Sequence, residues 1–114
     1  MLLVDQKISI QELSKMSEKM FDGLVKAVVD IERGIMVVDA SFHSDQEAFL
    51  LEEGSNQESL WGINIYPDKV DQEGFIEFDS MINIRPAIGN RGRGVYNEEI
   101  QKQIRKIVSN LVVL

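Results

Sequence analysis

Leu24–Ala40 reads LVKAVVDIERGIMVVDA, and this stretch decides the fold. Val25, Ala27, Val29 and Ile31 alternate with Lys26, Val28, Asp30 and Glu32. β-Branched residues, which suit a pleated, half-buried surface, dominate the run. Glu32-Arg33-Gly34 supplies a short turn, and Ile35–Ala40 reads as the returning strand. The expectation is a β-hairpin that needs further strands beside it and helices over its apolar face.

Upstream, Ser9-Ile-Gln-Glu12 has the pattern of a capping box, flanked by Ile8 and Leu13 as a hydrophobic staple. Ile10, Leu13, Met16, Met20 and Leu24 recur at helical spacing, and Gly23 suits a left-handed cap. Met16, Met20 and Phe21 are therefore expected to face the core. Downstream, Ser44-Asp-Gln-Glu47 predicts a second capping box, opening a short helix that stops at Gly54. LWGINIYP then reads as a strand with Trp61, Ile63 and Ile65 on one face. FIEFDSMINIRP answers it across the loop PDKVDQEG, with Ile76, Phe78, Ser80, Ile82 and Ile84 on one face and Glu77, Asp79, Asn83 and Arg85 on the other. Pro86 ends that strand. A last helix starts near Asn97, with Glu98 and Glu99 at its positive end and Ile100, Ile104, Ile107, Val108 and Leu111 in one stripe. The predicted order is β-α-β-β-α-β-β-α. This is an α+β fold: a mainly antiparallel sheet of two β-hairpins and an N-terminal strand, packed by three helices on its apolar face.

At 114 residues the chain is expected to form a single domain spanning 1–114. Its 44 % hydrophobic and 27 % charged content are globular values, and no apolar run approaches the ~20 residues that cross a bilayer. MLLVDQKISI has no basic start and too short an apolar stretch for a secretory signal. With no cysteine there is no disulfide framework, and cytoplasmic residence is the expectation. The net charge of -7 hides an asymmetry: residues 1–84 balance at -11, whereas residues 85–114 balance at +4. The whole molecule should repel nucleic acid, while a local patch can still collect one small anion.

The segments LWGINIYP and FDSMINIRP, followed by a Gly/Asn/Arg loop, resemble a family of small prokaryotic proteins known only as a domain of unknown function. The resemblance extends to KAVVDIE, IMVVDA and the His43–Glu47 stretch. It implies a compact, stand-alone domain and transfers no site residue.

Gly89–Val95, GNRGRGV, is the first candidate site. Its glycines permit close approach of backbone amides, its arginines present forked donors, and it leads into a helix N-terminus. Arg85, Gly89, Asn90, Arg91, Gly92, Arg93 and Gly94 are the candidate anion-binding residues; the competing reading is a surface loop whose arginines pair with Glu77, Asp79 or Glu98. The spacing matches neither a dinucleotide fingerprint nor a phosphate-binding P-loop.

Acid/base candidates are His43, Asp39, Glu77 and Asp79. Glu77 and Asp79, two apart on one strand face, would have Cα atoms about 6.6 Å apart, against which stands a merely solvated strand face. His43 is the sole histidine, with Asp39 and Asp45 nearby in sequence and Ser41, Ser44 and Ser80 as the available hydroxyls. A helix-entry histidine making a local hydrogen bond is the alternative. One His and no Cys point away from a zinc site, and Asp68, Val70 and Gln72 break the alternation of a calcium loop. No metal and no cofactor are expected. The reading that follows is a small soluble domain binding an anionic small molecule or an acidic peptide through Arg85–Gly94. The alternatives are a small metal-independent hydrolase or ribonuclease-like enzyme, and a protein-interaction or homo-oligomer-forming module.

Overall fold

The computed structural model describes residues 1–114. In chain order the elements are β1 (Leu2–Val4), β2 (Ile8–Ser9), α1 (Ile10–Ser17), β3 (Val25–Asp30), β4 (Ile35–Val38), α2 (His43–Glu52), β5 (Leu60–Ile65), β6 (Ile76–Glu77), α3 (Glu98–Leu111) and β7 (Val112–Val113). Leu24–Ala40 does form the expected hairpin, β3–β4, with Ala27 opposite Val38 and Asp30 opposite Ile35. The Asp30 carboxylate closes its turn by accepting from the amides of Glu32 and Arg33. One five-stranded sheet runs β1-β4-β3-β5-β6, every pair antiparallel. A separate two-residue parallel pair, β2 with β7, ties the start of α1 to the end of α3. The class is α+β.

Both faces of the sheet are covered, which corrects the expectation of helices on one side. Val25, Ala27, Val29, Met36, Val38, Trp61, Ile63 and Ile65 face Leu13 of α1 and Ile104, Val108 and Leu111 of α3 in a 15-residue apolar cluster. Val28, Ile35, Val37 and Leu60 point the other way and meet Leu50 of α2. The physical reason lies in the strands, whose apolar residues fall at both parities and so require burial on both sides.

The second hairpin is shorter than its alternation predicts. Only Ile76 and Glu77 pair with β5. The chain then leaves the edge through tight turns at Met81–Asn83 and Pro86–Ile88. Side chains take over the edge. Asn83 accepts from the Gly62 amide at 2.8 Å through Oδ1 and donates to the Gly62 carbonyl at 2.9 Å through Nδ2, imitating a strand's peptide group. The Arg85 guanidinium donates to the Leu60 carbonyl. Gly62 makes this approach feasible, since a Cβ there would lie 2.5 Å from Ser80 Cβ and Oγ.

Two helix starts show how local signals compete with packing. Ser9 caps α1 as expected, accepting from the Glu12 amide at 3.1 Å. The Ser44–Glu47 box does not cap α2: the helix begins two residues earlier, after Phe42 in place of Ser44, with no side-chain cap. That register seats His43, Gln46 and Leu50 against the sheet, so burial of three side chains outweighs one cap. α1 ends at Ser17, and in the turns that follow, Met20 is half-buried while Phe21 is fully exposed, correcting its expected core position.

Candidate functional site

Gly89–Val95 is folded around one buried side chain. Asn90 donates through Nδ2 to the carbonyls of Asn83 (2.7 Å), Gly94 (2.8 Å) and Gly92 (3.3 Å), and accepts through Oδ1 from the Tyr96 amide at 3.1 Å. Its backbone pairs with Arg85 in both directions. The Arg93 carbonyl accepts from the Ser80 amide and from Asn83 Nδ2, each at 3.0 Å. Gly92 packs so closely under the Tyr96 ring that a Cβ would collide with its hydroxyl. The glycines thus let the loop close on itself and present Arg93 at a fixed place.

The three candidate arginines have different fates. Arg85 stacks on Trp61, 4.4 Å from the ring centre, and donates to the carbonyls of Glu58 and Leu60. Burial lowers its pKa, partly offset by Glu47 and Glu58, and each of its terminal nitrogens donates to a backbone carbonyl of the fold. Arg93 Nε donates to Asp79 Oδ1 at 2.6 Å, leaving the guanidinium's terminal nitrogens without protein acceptors. Arg91 is exposed and unpaired.

The acid/base candidates are also sorted. Glu77 accepts from Asn64 at 2.8 Å and from the Tyr66 hydroxyl at 3.1 Å. Burial, and next the Glu77 charge, raise the Tyr66 pKa. Asp79 belongs instead to Arg93, so the two carboxylates serve different partners. Asp39, with a positive φ of 67°, is held by Lys19 at 3.0 Å and borders a different cleft, with Ser41, Met1, Met16 and Met20.

His43 is the residue that the fold brings to other chemistry. It lines a cleft of about 180 Å³ with Lys26, Phe42, Ser44, Ser80, Met81, Ile82 and Arg93. The residue is 7 % exposed. Nε2 lies 2.7 Å from the Ile63 carbonyl oxygen. Burial lowers its pKa to about 4; the Ile63 hydrogen bond works against this, Lys26 adds to it, Asp79 opposes it and Arg93 again favours it. The imidazole is therefore neutral at pH 7. Neither Ser44 nor Ser80 is hydrogen-bonded to it; the Ser80 hydroxyl instead accepts from the Ile82 amide at 3.3 Å. Lys26 comes from β3, Ser44 and His43 from the start of α2, and Ser80 and Arg93 from the two segments that Asn83 and Asn90 hold together.

Sequence reasoning missed Lys26, which alternation places on the same parity of β3 as Val28 and Asp30 without revealing that α2 would arrive there. It also missed the two asparagines as organisers, since nothing in their spacing distinguishes a buried amide from a turn residue. No helix is long and apolar enough to cross a membrane. No group of three or more His, Asp or Glu side chains is arranged to hold a metal ion. No curated protein and no solved structure matches the chain. The sequence model of one family, described as protein of unknown function (DUF5674), matches residues 2–111, and the chain belongs to that family.

Proposed function

We propose that the protein is a binding domain for a small anion, seated in the cleft formed by Lys26, His43, Ser44, Ser80 and Arg93. One observation carries this reading: two cations from distant parts of the chain meet at the uncapped start of α2. Lys26 Nζ has no protein acceptor, and Arg93 keeps its terminal nitrogens free. No side chain caps the leading amides of α2, and such amides attract negative charge. At about 180 Å³ the cleft lies below the ~300–1,000 Å³ of ordinary ligand pockets, so the ligand is small. In this proposal Arg93 is the loop's contact, while Gly89, Asn90, Gly92 and Gly94 fix its backbone and Arg85 anchors the approach to it. The net charge of -7 argues against long polyanions such as nucleic acid as partners. Binding is favoured over hydrolysis because no hydroxyl is hydrogen-bonded to His43.

An amide-resolved NMR titration with inorganic phosphate tests the proposal. The amides of His43, Ser44 and Ser80 should shift saturably, and Lys26→Met or Arg93→Ala should weaken binding at least tenfold, about 1.4 kcal/mol. Amides that stay still at ~10 mM phosphate, where even a millimolar site would be nearly saturated, would discard it.

A second reading, a face for docking a second copy, is favoured by a separate observation. Phe42, Met81, Ile84, Ile88 and Tyr96 are exposed, and the clefts between them share residues. Unpaired Glu47 and Glu58 flank Met81–Ile88, and unpaired Arg91 follows in the adjoining loop, so a two-fold contact could match opposite charges. Sedimentation at high protein concentration should then show dimers that Met81→Glu abolishes.

A further inference from the structure

Resting on the anion-site reading, we infer that the cleft selects an anion that also donates a hydrogen bond, to Nδ1 of His43: a protonated phosphate or phosphate monoester, or a hydroxy acid, in preference to an aprotic anion such as sulfate. The argument starts from the other ring nitrogen. A carbonyl oxygen only accepts, so a 2.7 Å contact to Ile63 O places the proton on Nε2. A neutral imidazole has one proton, and Nδ1 is therefore a lone-pair acceptor. This nitrogen has no hydrogen-bond partner within the protein and is not among the buried unpartnered atoms, so it is open to the cleft that His43 lines. A ligand entering the cleft displaces water from that lone pair, and one that supplies no donor leaves it unpaired at a desolvation cost.

The charged groups around the ring work in the same direction. Lys26 of β3 and Arg93 of the glycine-rich loop supply positive charge, and Asp79, beyond β6, is already bound to Arg93. Ser44 from α2 and Ser80 from the chain beyond β6 complete the polar lining. The cations call for negative charge; the ring calls for a proton. Sulfate would either place its lone pairs against that of Nδ1 or force the ring to ionise, which burial, Lys26 and Arg93 all resist. An anion bearing an O–H satisfies both demands, with the hydroxyl on Nδ1 and the remaining oxygens towards Lys26, Arg93 and the α2 amides. The selectivity is of the kind in which a site's unpaired polar group rejects an analogue lacking its partner.

Parallel titrations of the full chain with inorganic phosphate and sulfate at about pH 6.5 separate the outcomes, because phosphate there still carries at least one proton. Phosphate is expected to bind at least tenfold more tightly. Since His43 is the sole histidine, long-range proton–nitrogen correlation spectra report its ring without ambiguity. They should show Nε2 protonated in the free protein and Nδ1 shifting on phosphate addition but not on sulfate addition. In His43→Phe the two anions should bind alike. Equal affinities in the unaltered protein, with the cleft amides moving, would overturn the donor requirement and leave the anion site standing. A free protein with the proton on Nδ1 would overturn the inference whatever the affinities. Failure of both anions to move Ser44 and Ser80 would overturn the anion site and the inference together.

Discussion

The two faces of the sheet are closed by different means. Towards α1 and α3, 15 buried apolar residues interlock, Trp61, Leu13 and Ile104 among them. Towards α2, the apolar cluster has five members, and beside it stand Lys26, His43, Gln46 and Asn64. Three of the four buried side-chain atoms without a hydrogen-bond partner, Asp30 Oδ2, Gln46 Oε1 and Asn64 Oδ1, belong to the α2 side; the fourth is Trp61 Nε1. One face is built for cohesion. The other gives up cohesion for polar groups that a fold alone does not require, and the proposed site opens on that side.

The largest effect should come from the apolar face. Trp61→Ala removes a fully buried ring and also the surface on which Arg85 stacks, and should cost about 4 kcal/mol in urea unfolding. Leu50→Ala should cost about 2 kcal/mol, the low end for such a truncation, because the polar neighbours of α2 let the site relax around water. Equal costs would break the contrast and mean that both faces share stability evenly.

The second effect is on the α2 side and depends on pH. His43 has a folded pKa of about 4 against 6.5 for the free side chain, so the unfolded chain protonates first as pH falls. Between about pH 6.5 and pH 4 the unfolded state holds more protons, and stability rises with pH across that window. The contribution is fully present above pH 6.5 and is lost towards pH 4, amounting to about 3 kcal/mol. Subtracting the pH profile of His43→Gln from that of the unaltered protein isolates it from the carboxylates that also titrate there. A flat difference profile would mean that the ring is not held neutral in the fold.

The contrast between the faces also explains what could be read from the sequence. β3, β4 and β5 were legible because β-branched alternation and a short turn leave few other conformations, and Ser9 and Asn97 announced their helices by local bonds. Asn97 does accept from the amides of Glu99 and Ile100. FIEFDSMINIRP misled because alternation records which residues are apolar and not where the backbone finds its partners. Beyond Glu77 those partners are the side chains of Asn83, Arg85 and Asn90, contacts made over 7 to 25 residues that no local pattern encodes. His43 was visible as the sole histidine, yet its value rests on Ile63, Lys26 and Arg93, which only the folded chain assembles. Arg93 was legible as a loop arginine; its partner Asp79 was among the expected ones.

The smallest effect on stability is also the most informative about the site. Asp79 and Arg93 are 42 % and 54 % exposed, so their ion pair is a surface pair worth less than about 1 kcal/mol. Asp79→Asn should therefore leave urea unfolding almost unchanged. It should nevertheless tighten phosphate binding roughly threefold to tenfold, about 0.7–1.4 kcal/mol, because Arg93 loses its internal competitor and the cleft loses a negative charge. Added salt should shrink the gain, as screening requires for charges this close to water. The same substitution removes a charge that holds the His43 pKa up, so the ring should titrate still lower, which direct NMR titration of its protons can follow. If stability drops by more than about 1 kcal/mol while phosphate affinity does not move, Asp79 and Arg93 are a structural clasp for the glycine-rich loop. The polar face would then have lost its anion contact, and the second-copy reading of the exposed Met81–Ile88 surface would gain ground.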